Sequence, residues 1–386
     1  MHKASITSRK RWLLYVAMLS LILSITFFSS QQFTIATTSE TEYNLQADNK
    51  LLINLSDSLN TTEQDGCNCQ LSNVHELDIE EKDTHADIDL TFPPLPKETL
   101  QKINKNLLKD RILIVATANY GMRNHIYNWI ESLKRVNETK FIIFCLDDKL
   151  YDHLALTGYT SHAAKIPDTW FHQEIEANFS LYFSETYRII THAKTLVVQQ
   201  LLYLDVTVFF SDVDIVWRRT HIVDYVSAVM NARPSTEILF QQEGVDQREI
   251  NSGFYLMRPT SKMKRLLAET IAIQDTNEKM TQQGAMNAAL DKLDLDIRTG
   301  PVGLLDLLHF PNGYVYFDLD LPRQHGIDPF IVHANYLIGE DKKKKLIEYN
   351  MWYLNDTWLD QMDVKLNKKT KSMKNQQQKA KSKEQN

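Results

Sequence analysis

The sequence predicts an α/β fold, a mostly parallel sheet flanked by helices, and three observations carry that prediction. Apolar runs rich in β-branched and aromatic residues recur as RILIVAT (Arg111–Thr117), FIIFCL (Phe141–Leu146) and VTVFF (Val206–Phe210). Such runs read as strands buried on both faces. Segments with apolar residues at helical spacing separate them, which is the rhythm of βαβ units. A chain of 386 residues, 43% hydrophobic and 24% charged, is long and apolar enough for a large core in one or two domains.

Taken in order, the chain opens with Lys3, Arg9, Lys10 and Arg11, followed by an uncharged run from Trp12 to Phe28. As a helix that run spans roughly 25 Å, enough for a slightly thinned bilayer. Basic residues lie only before it, so the positive-inside rule predicts a cytosolic tail (1–11), a transmembrane signal anchor (12–28) and everything later on the far side. A cleaved signal peptide is the alternative, although Phe27–Gln32 offers no clear small-x-small site. Sequons at Asn54, Asn60, Asn137, Asn178 and Asn355 agree with a lumenal chain. Residues 29–106 read as a polar stem, mostly a disordered spacer, that Phe92-Pro93-Pro94-Leu95-Pro96 closes stiffly.

Residues 107–361 read as one folded domain. After the strand Arg111–Thr117 come a turn, Asn119-Tyr120-Gly121, and a helix from Arg123 to Val136 with Ile126, Trp129, Ile130 and Leu133 on one face. The strand Phe141–Leu146 ends at Asp147 and Asp148, and a short helix follows with Leu150 and Leu154. Ala163–Ile166 reads as a third strand, and the helix Ser184–Leu202 feeds Val206–Phe210. Beyond that the pattern predicts helices at Ile222–Met230, Lys262–Ile273, Lys279–Leu293 and Lys342–Leu354. It predicts strands at Glu237–Gln241, Gly253–Met257, Val315–Phe317 and Phe330–His333. The Lys-, Gln- and Ser-rich segment 362–386 reads as a disordered basic tail.

Composition excludes some classes. A formal net charge of −6 argues against a nucleic-acid binder. Three cysteines make no zinc pattern and no disulfide scaffold; Cys145, in an apolar run, reads as a buried thiol.

The stretch Ser211-Asp212-Val213-Asp214 carries the chemistry. Two carboxylates one residue apart at the carboxyl end of a buried strand are costly unless paired. In an open α/β sheet ligands bind at that edge. A divalent cation carrying a phosphorylated ligand justifies both acids. The plainer alternative is a turn whose acids cap a helix near Thr220.

SDVDIVW resembles the metal-binding motif of nucleotide-sugar glycosyltransferases, in particular the nucleotide-diphospho-sugar transferase domain of glycosyltransferase family 77. That family adds xylose, arabinose or galactose. Four further segments resemble it in order: Thr117–Lys134, Asn251-Ser252-Gly253-Phe254, Gln282-Gln283 with Asn287, and His333-Ala334-Asn335 with Gly339 and Lys342. The similarity covers roughly Leu107 to Leu354. It implies a Rossmann-like sheet of the GT-A type. It also implies that Asp214 and His333 ligate a metal, typically Mn2+, with Asp212 meeting the metal or the ribose. Thr117, Asn119, Tyr120, Gly121 and Asp212 would hold the nucleotide of a UDP-sugar donor. Asn251 and Gln283 would line the sugar and acceptor pocket, and Lys342 would contact the diphosphate. Plainer readings stand beside these: Gly121 as a turn glycine, His333 as a structural histidine, Lys342–Lys345 as a solvated helix face. The family usually has Asp-Gln where this chain has Gln282-Gln283, so a charge is lost where the sugar or acceptor is held.

The resemblance implies a retaining transferase with no obvious general base, a nucleotide-sugar donor, a glycan or glycoprotein acceptor, no nucleic acid, and a single-pass type II Golgi membrane location. Two alternatives remain open here. A haloacid-dehalogenase-type phosphatase also places D-x-D-x-[TV] after a buried strand, with the first Asp as nucleophile, and Asp212–Val216 fits that pattern. A non-catalytic glycan-binding protein is the other, with Gln282 as its support.

Overall fold

Along strand β1 (Ile112–Ala118) side chains alternate between two apolar layers: Ile112, Ile114 and Ala116 enter one, Leu113 and Val115 the other. The computed structural model describes residues 95–167, 185–277, 279–295 and 300–384, all within one compact unit. The predicted anchor, the stem up to Pro94, Cys67, Cys69 and the sequons at Asn54, Asn60 and Asn178 lie outside the described residues. Among the described residues no helix is long and apolar enough to cross a membrane.

The remaining strands are β2 (Ile142–Cys145), β3 (Ala163–Lys165), β4 (Thr207–Ser211), β5 (Ile215–Trp217), β6 (Ile238–Gln242), β7 (Ile250–Met257), β8 (Val302–Leu304) and β9 (Ile331–His333). Among the described residues seven of them form one sheet in the order β3-β2-β1-β4-β7-β6-β8. β3, β2, β1 and β4 are mutually parallel, β6 and β8 are parallel, and β7 alone runs against its neighbours β4 and β6. β5 and β9 make a separate antiparallel ribbon. The mainly parallel sheet is the one the apolar runs predict, because strands covered on both faces lose their polar alternation.

Helices cover both faces. On one lie α1 (Lys97–Asn106), α4 (Glu185–Tyr203), α6 (Ser261–Thr276) and α7 (Gln282–Lys292), through Ile103, Val197, Leu201, Leu266, Met286 and Leu290. On the other lie α2 (Arg123–Arg135), α3 (Asp148–Leu156) and α5 (Ile222–Asn231), through Trp129, Leu133, Leu154 and Val226. Cys145 is buried, as expected. Asp147 caps α3 by accepting from the Leu150 amide at 2.9 Å, so that acid serves structure.

Four expectations need correction. The fold begins before residue 107: α1 buries Thr99, Ile103 and Asn106 at helical spacing, and Leu95 already enters the core. Val315–Phe317 is not a strand but part of a π-helical turn, Tyr314–Asp318. There the Asn312 side chain accepts from the Val315 amide at 3.0 Å, and Tyr316 and Phe317 pack in one cluster with Val216, Val332 and Leu346. After α8 (Leu321–Gln324) and β9, helix α9 (Glu340–Glu348) stops short of Leu354. Asn350 adopts a left-handed conformation and the Met351 amide returns to Leu346 O at 2.7 Å, a C-terminal stop. Finally, the tail is helical: α10 spans Asp356–Glu384. Leu359 and Leu366 bury one face of it, each stabilising the fold by about 2 kcal/mol. Its abundant Lys and Gln are good helix formers and no Gly or Pro interrupts it.

Candidate functional site

The site forms where β4 ends. β7 pairs antiparallel with β4, and the Asp212 amide donates to Gly253 O at 2.7 Å, which sets Asn251-Ser252-Gly253 beside Asp212. β5 leaves Asp214 and pairs with β9 so that Ile215 faces His333, while the Ala334 amide donates to Asp214 O at 3.0 Å. Two strand pairings thus carry residues distant in sequence to one point. One side-chain ligand atom from each of Asp212, Asp214 and His333 lies within 4.8 Å of the other two.

Gly253 makes this convergence possible. A Cβ there would sit 2.6 Å from Asp212 Oδ2 and 2.6 Å from His333 Cε1, closer than side chains tolerate. Gly313 plays a similar part behind the site: a Cβ there would lie 2.1 Å from Asn335 O, and its amide donates to Asn335 Oδ1 at 2.6 Å.

Gln241, fully buried, orients the histidine. Its Nε2 donates to Phe310 O at 3.1 Å and Pro311 O at 3.0 Å, so its Oε1 faces His333 Nδ1 at 2.7 Å and accepts from it. That bond leaves Nε2 as the nitrogen that faces Asp214 Oδ1, at 3.3 Å. A lone pair and a carboxylate in that position repel unless a cation or a proton lies between them. Two carboxylates and a second-sphere-oriented imidazole suit a divalent metal, and the residues present fit one.

Two lysines complete the charges. Lys194, from α4, pairs with Asp212 Oδ1 at 3.1 Å, and Lys342, from α9, pairs with Asp214. Burial alone would raise the Asp214 carboxyl; Lys342 and His333 outweigh it and hold the group well below the ordinary carboxylate range. Asp214 is therefore ionised and ready for a cation.

These residues line a cleft of about 440 Å3, ample for a small ligand. Of the predicted residues, Thr117, Asn119, Asp212, Asp214, Asn251, Gln283, His333 and Lys342 line it together. Tyr120 and Gly121 do not. Tyr120 is buried against α10, where its hydroxyl donates to Asp363 at 2.7 Å, and its amide donates to Asp147 Oδ2 at 2.7 Å. Gly121 continues the same 3-10 turn, Tyr120–Met122, and Met122 is the residue of that turn that lines the cleft. Gln282 is buried and accepts from Ser252 Oγ at 2.6 Å; Gln283 accepts from the Ser252 amide at 3.2 Å. The pair thus holds the β7 strand.

Sequence reasoning missed Gln241, Lys194, Glu243 and Tyr336. Gln241-Gln242-Glu243 was a legible signal: three polar residues that end an apolar strand at the sheet's ligand-binding edge. Lys194, a single cation inside the apolar stripe of α4, was another.

The nucleotide-diphospho-sugar transferase family model matches residues 137–347. The chain is 27% identical over 301 residues to a UDP-galactose:fucoside α-3-galactosyltransferase of Dictyostelium discoideum, covering 67% of this chain and 45% of that protein. It is 26% identical to a β-arabinofuranosyltransferase of Arabidopsis thaliana, covering 66% and 50%. It is 25% identical to a UDP-D-xylose:L-fucose α-1,3-D-xylosyltransferase of Arabidopsis thaliana, covering 68% and 76%. The chain spans about half the length of the first two. With the family match extending over more than half of its residues, the chain belongs to the nucleotide-diphospho-sugar transferase family.

Proposed function

We propose that the chain is a metal-dependent, retaining glycosyltransferase. It moves a sugar from a UDP-linked donor to a glycan or glycoprotein acceptor, with xylose the favoured sugar and galactose and arabinose the others. The observation that carries this reading is the convergence of Asp212, Asp214 and His333 at the end of a buried strand, backed by Gln241. Asp212, Asp214 and His333 would hold Mn2+, which when bound offsets charge on the departing diphosphate. Lys342 and Lys194, two cations in the same cleft, complement the phosphates. Thr117 and Asn119 lie at the carboxyl edge of the sheet, where a nucleotide belongs. Asn251 and Gln283 offer neutral hydrogen-bonding groups to sugar hydroxyls. Family membership speaks against the phosphatase alternative, and the intact trio speaks against a non-catalytic glycan-binding protein.

The names of two relatives specify fucose-bearing acceptors, so a fucoside is the first acceptor to test. The proposed setting is the Golgi membrane, with Trp12–Phe28 as a type II anchor and the catalytic domain in the lumen. The basic residues before that run and the exposure of Asn137 and Asn355 support it. The test is UDP release by the full-length chain from UDP-xylose, UDP-galactose and UDP-arabinose, with methyl α-L-fucoside and Mn2+. Release that depends on one donor, on the fucoside and on Mn2+ is expected. A protein inert toward every donor and acceptor tried contradicts the reading.

A further inference from the structure

Glu243 is a carboxylate that the reading above leaves without a task. It follows β6 directly and lines the cleft. Asn251 Nδ2 donates to its Oε2, and Gln283 Nε2 donates to the same oxygen at 3.3 Å. The Tyr336 hydroxyl lies beside the same carboxylate, which adds to burial in holding its phenol above the ordinary range. A carboxylate offers about four acceptor sites, so these two donors leave capacity for a ligand hydroxyl. Asn251 also ties Glu243 to the metal trio: its Oδ1 lies 2.9 Å from the position of a Cβ on Gly253, the same point that Asp212 and His333 crowd.

The aromatic surface beside Glu243 is unusually open. Tyr336 is 52% exposed and Ile338 60% exposed, yet both line the cleft. Tyr314 stands next to Tyr336, ring centroids 5.9 Å apart, and is also exposed. Tyr336 is held in a left-handed backbone conformation, φ 62°, which a tyrosine adopts only when its surroundings impose it. An apolar aromatic ledge next to a hydrogen-bonded carboxylate matches a sugar ring: C–H bonds on one face, hydroxyls at the edge.

We propose that Glu243, Tyr336 and Tyr314 form the acceptor subsite, which takes a neutral pyranoside with its C–H face on the tyrosines and a hydroxyl donated to Glu243. This rests on the transferase reading of the cleft. Glu243 then supplies, from β6, the negative charge that Gln282 lacks, and Gln283 and Asn251 hold it in place.

The test uses the full-length chain with methyl α-L-fucoside as the acceptor probe, and Tyr336→Ala, Tyr336→Phe and Glu243→Gln as variants. Thermal melts establish that each is folded. Tyr336→Ala and Glu243→Gln are expected to raise the acceptor KM about tenfold or more, with the KM for the UDP-sugar within about twofold of wild type. Tyr336→Phe keeps the ring and is expected to lie between Tyr336→Ala and wild type. Saturation-transfer NMR of the fucoside with UDP and Mn2+ reads binding without turnover: signal in wild type that Tyr336→Ala abolishes supports the subsite. An unchanged acceptor KM in both variants, an equal rise in donor KM, or no fucoside signal from wild type overturns it. Absence of UDP release from wild type with the fucoside still bound would instead sink the transferase reading alone.

Discussion

Replacing Gln241 with leucine removes one side chain and three hydrogen bonds. The leucine is close in volume, so the loss is polar rather than steric. Phe310 O and Pro311 O lose a buried donor, and His333 Nδ1 loses its acceptor. A buried group left without a partner costs about 1–3 kcal/mol, so a stability loss of about 3 kcal/mol or more is expected. The histidine, free to rotate or switch tautomer, should bind metal about 10- to 100-fold more weakly. Gln241→Glu separates the two effects, because it keeps an acceptor for His333 but loses the donors to the two carbonyls. Its stability should fall while its metal affinity stays nearer to wild type. Urea unfolding and calorimetric titration with Mn2+ measure both quantities. A folded Gln241→Leu protein that binds Mn2+ as tightly as wild type would refute the role assigned to Gln241.

Three further outcomes follow from the geometry. Gly253→Ala places a methyl 2.6 Å from both Asp212 and His333, so the trio must spread; Mn2+ affinity should fall at least tenfold with little change in the melting temperature, and wild-type affinity would contradict the crowding argument. Burial pushes the His125 imidazole down to about 4, against the opposing pull of nearby Asp214. The folded protein therefore binds fewer protons than the unfolded chain below the ordinary value of about 6.5. This contribution to stability is fully present above pH 6.5 and is lost as pH falls toward 4, by about 3 kcal/mol in all. Urea melts at pH 7 and pH 5 should differ less in His125→Leu than in wild type; equal slopes would count against it. Asp363 accepts from Tyr120 at 2.7 Å and from Arg123 at 2.7 Å, and pairs with His153 at 3.0 Å. Asp363→Ala should cost about 2 kcal/mol and expose α10 to protease; unchanged proteolysis would show that the helix is anchored otherwise.

The parallel half of the sheet was legible because each of β1, β2 and β4 is an uninterrupted apolar run. Of the four three-residue strands among the described residues, β3 and β9 were read and β5 and β8 were not, since so short a segment carries no period of its own. The two acids at the end of β4 stood out through their cost in an apolar setting. Their meeting with His333, which resemblance suggested, depends on the β5–β9 pairing, which local pattern could not show. Gln241 reaches the histidine beside an irregularity in the β6–β7 register between Phe240 and Gln241, invisible in composition. The bond of Tyr120 to Asp363 could not be read, because the two lie 243 residues apart. The helical tail was misread for a related reason: composition described its exposed end, while Leu359, Asp363 and Leu366 decide its buried one.

Whether the acids at the end of β4 hold a metal for sugar transfer is decided by Mn2+-dependent UDP release from wild type and from Asp214→Ala, with fucoside acceptor and each UDP-sugar in turn. Asp214 is 7% exposed and pairs with both His333 and Lys342, so the variant's fold is checked by a thermal melt. Mn2+-dependent release by wild type is expected, abolished by chelation and lowered at least a hundredfold in a folded Asp214→Ala, about 3 kcal/mol of transition-state stabilisation. Equal rates in the two proteins, or a wild-type rate indifferent to chelation, would contradict the metal's role.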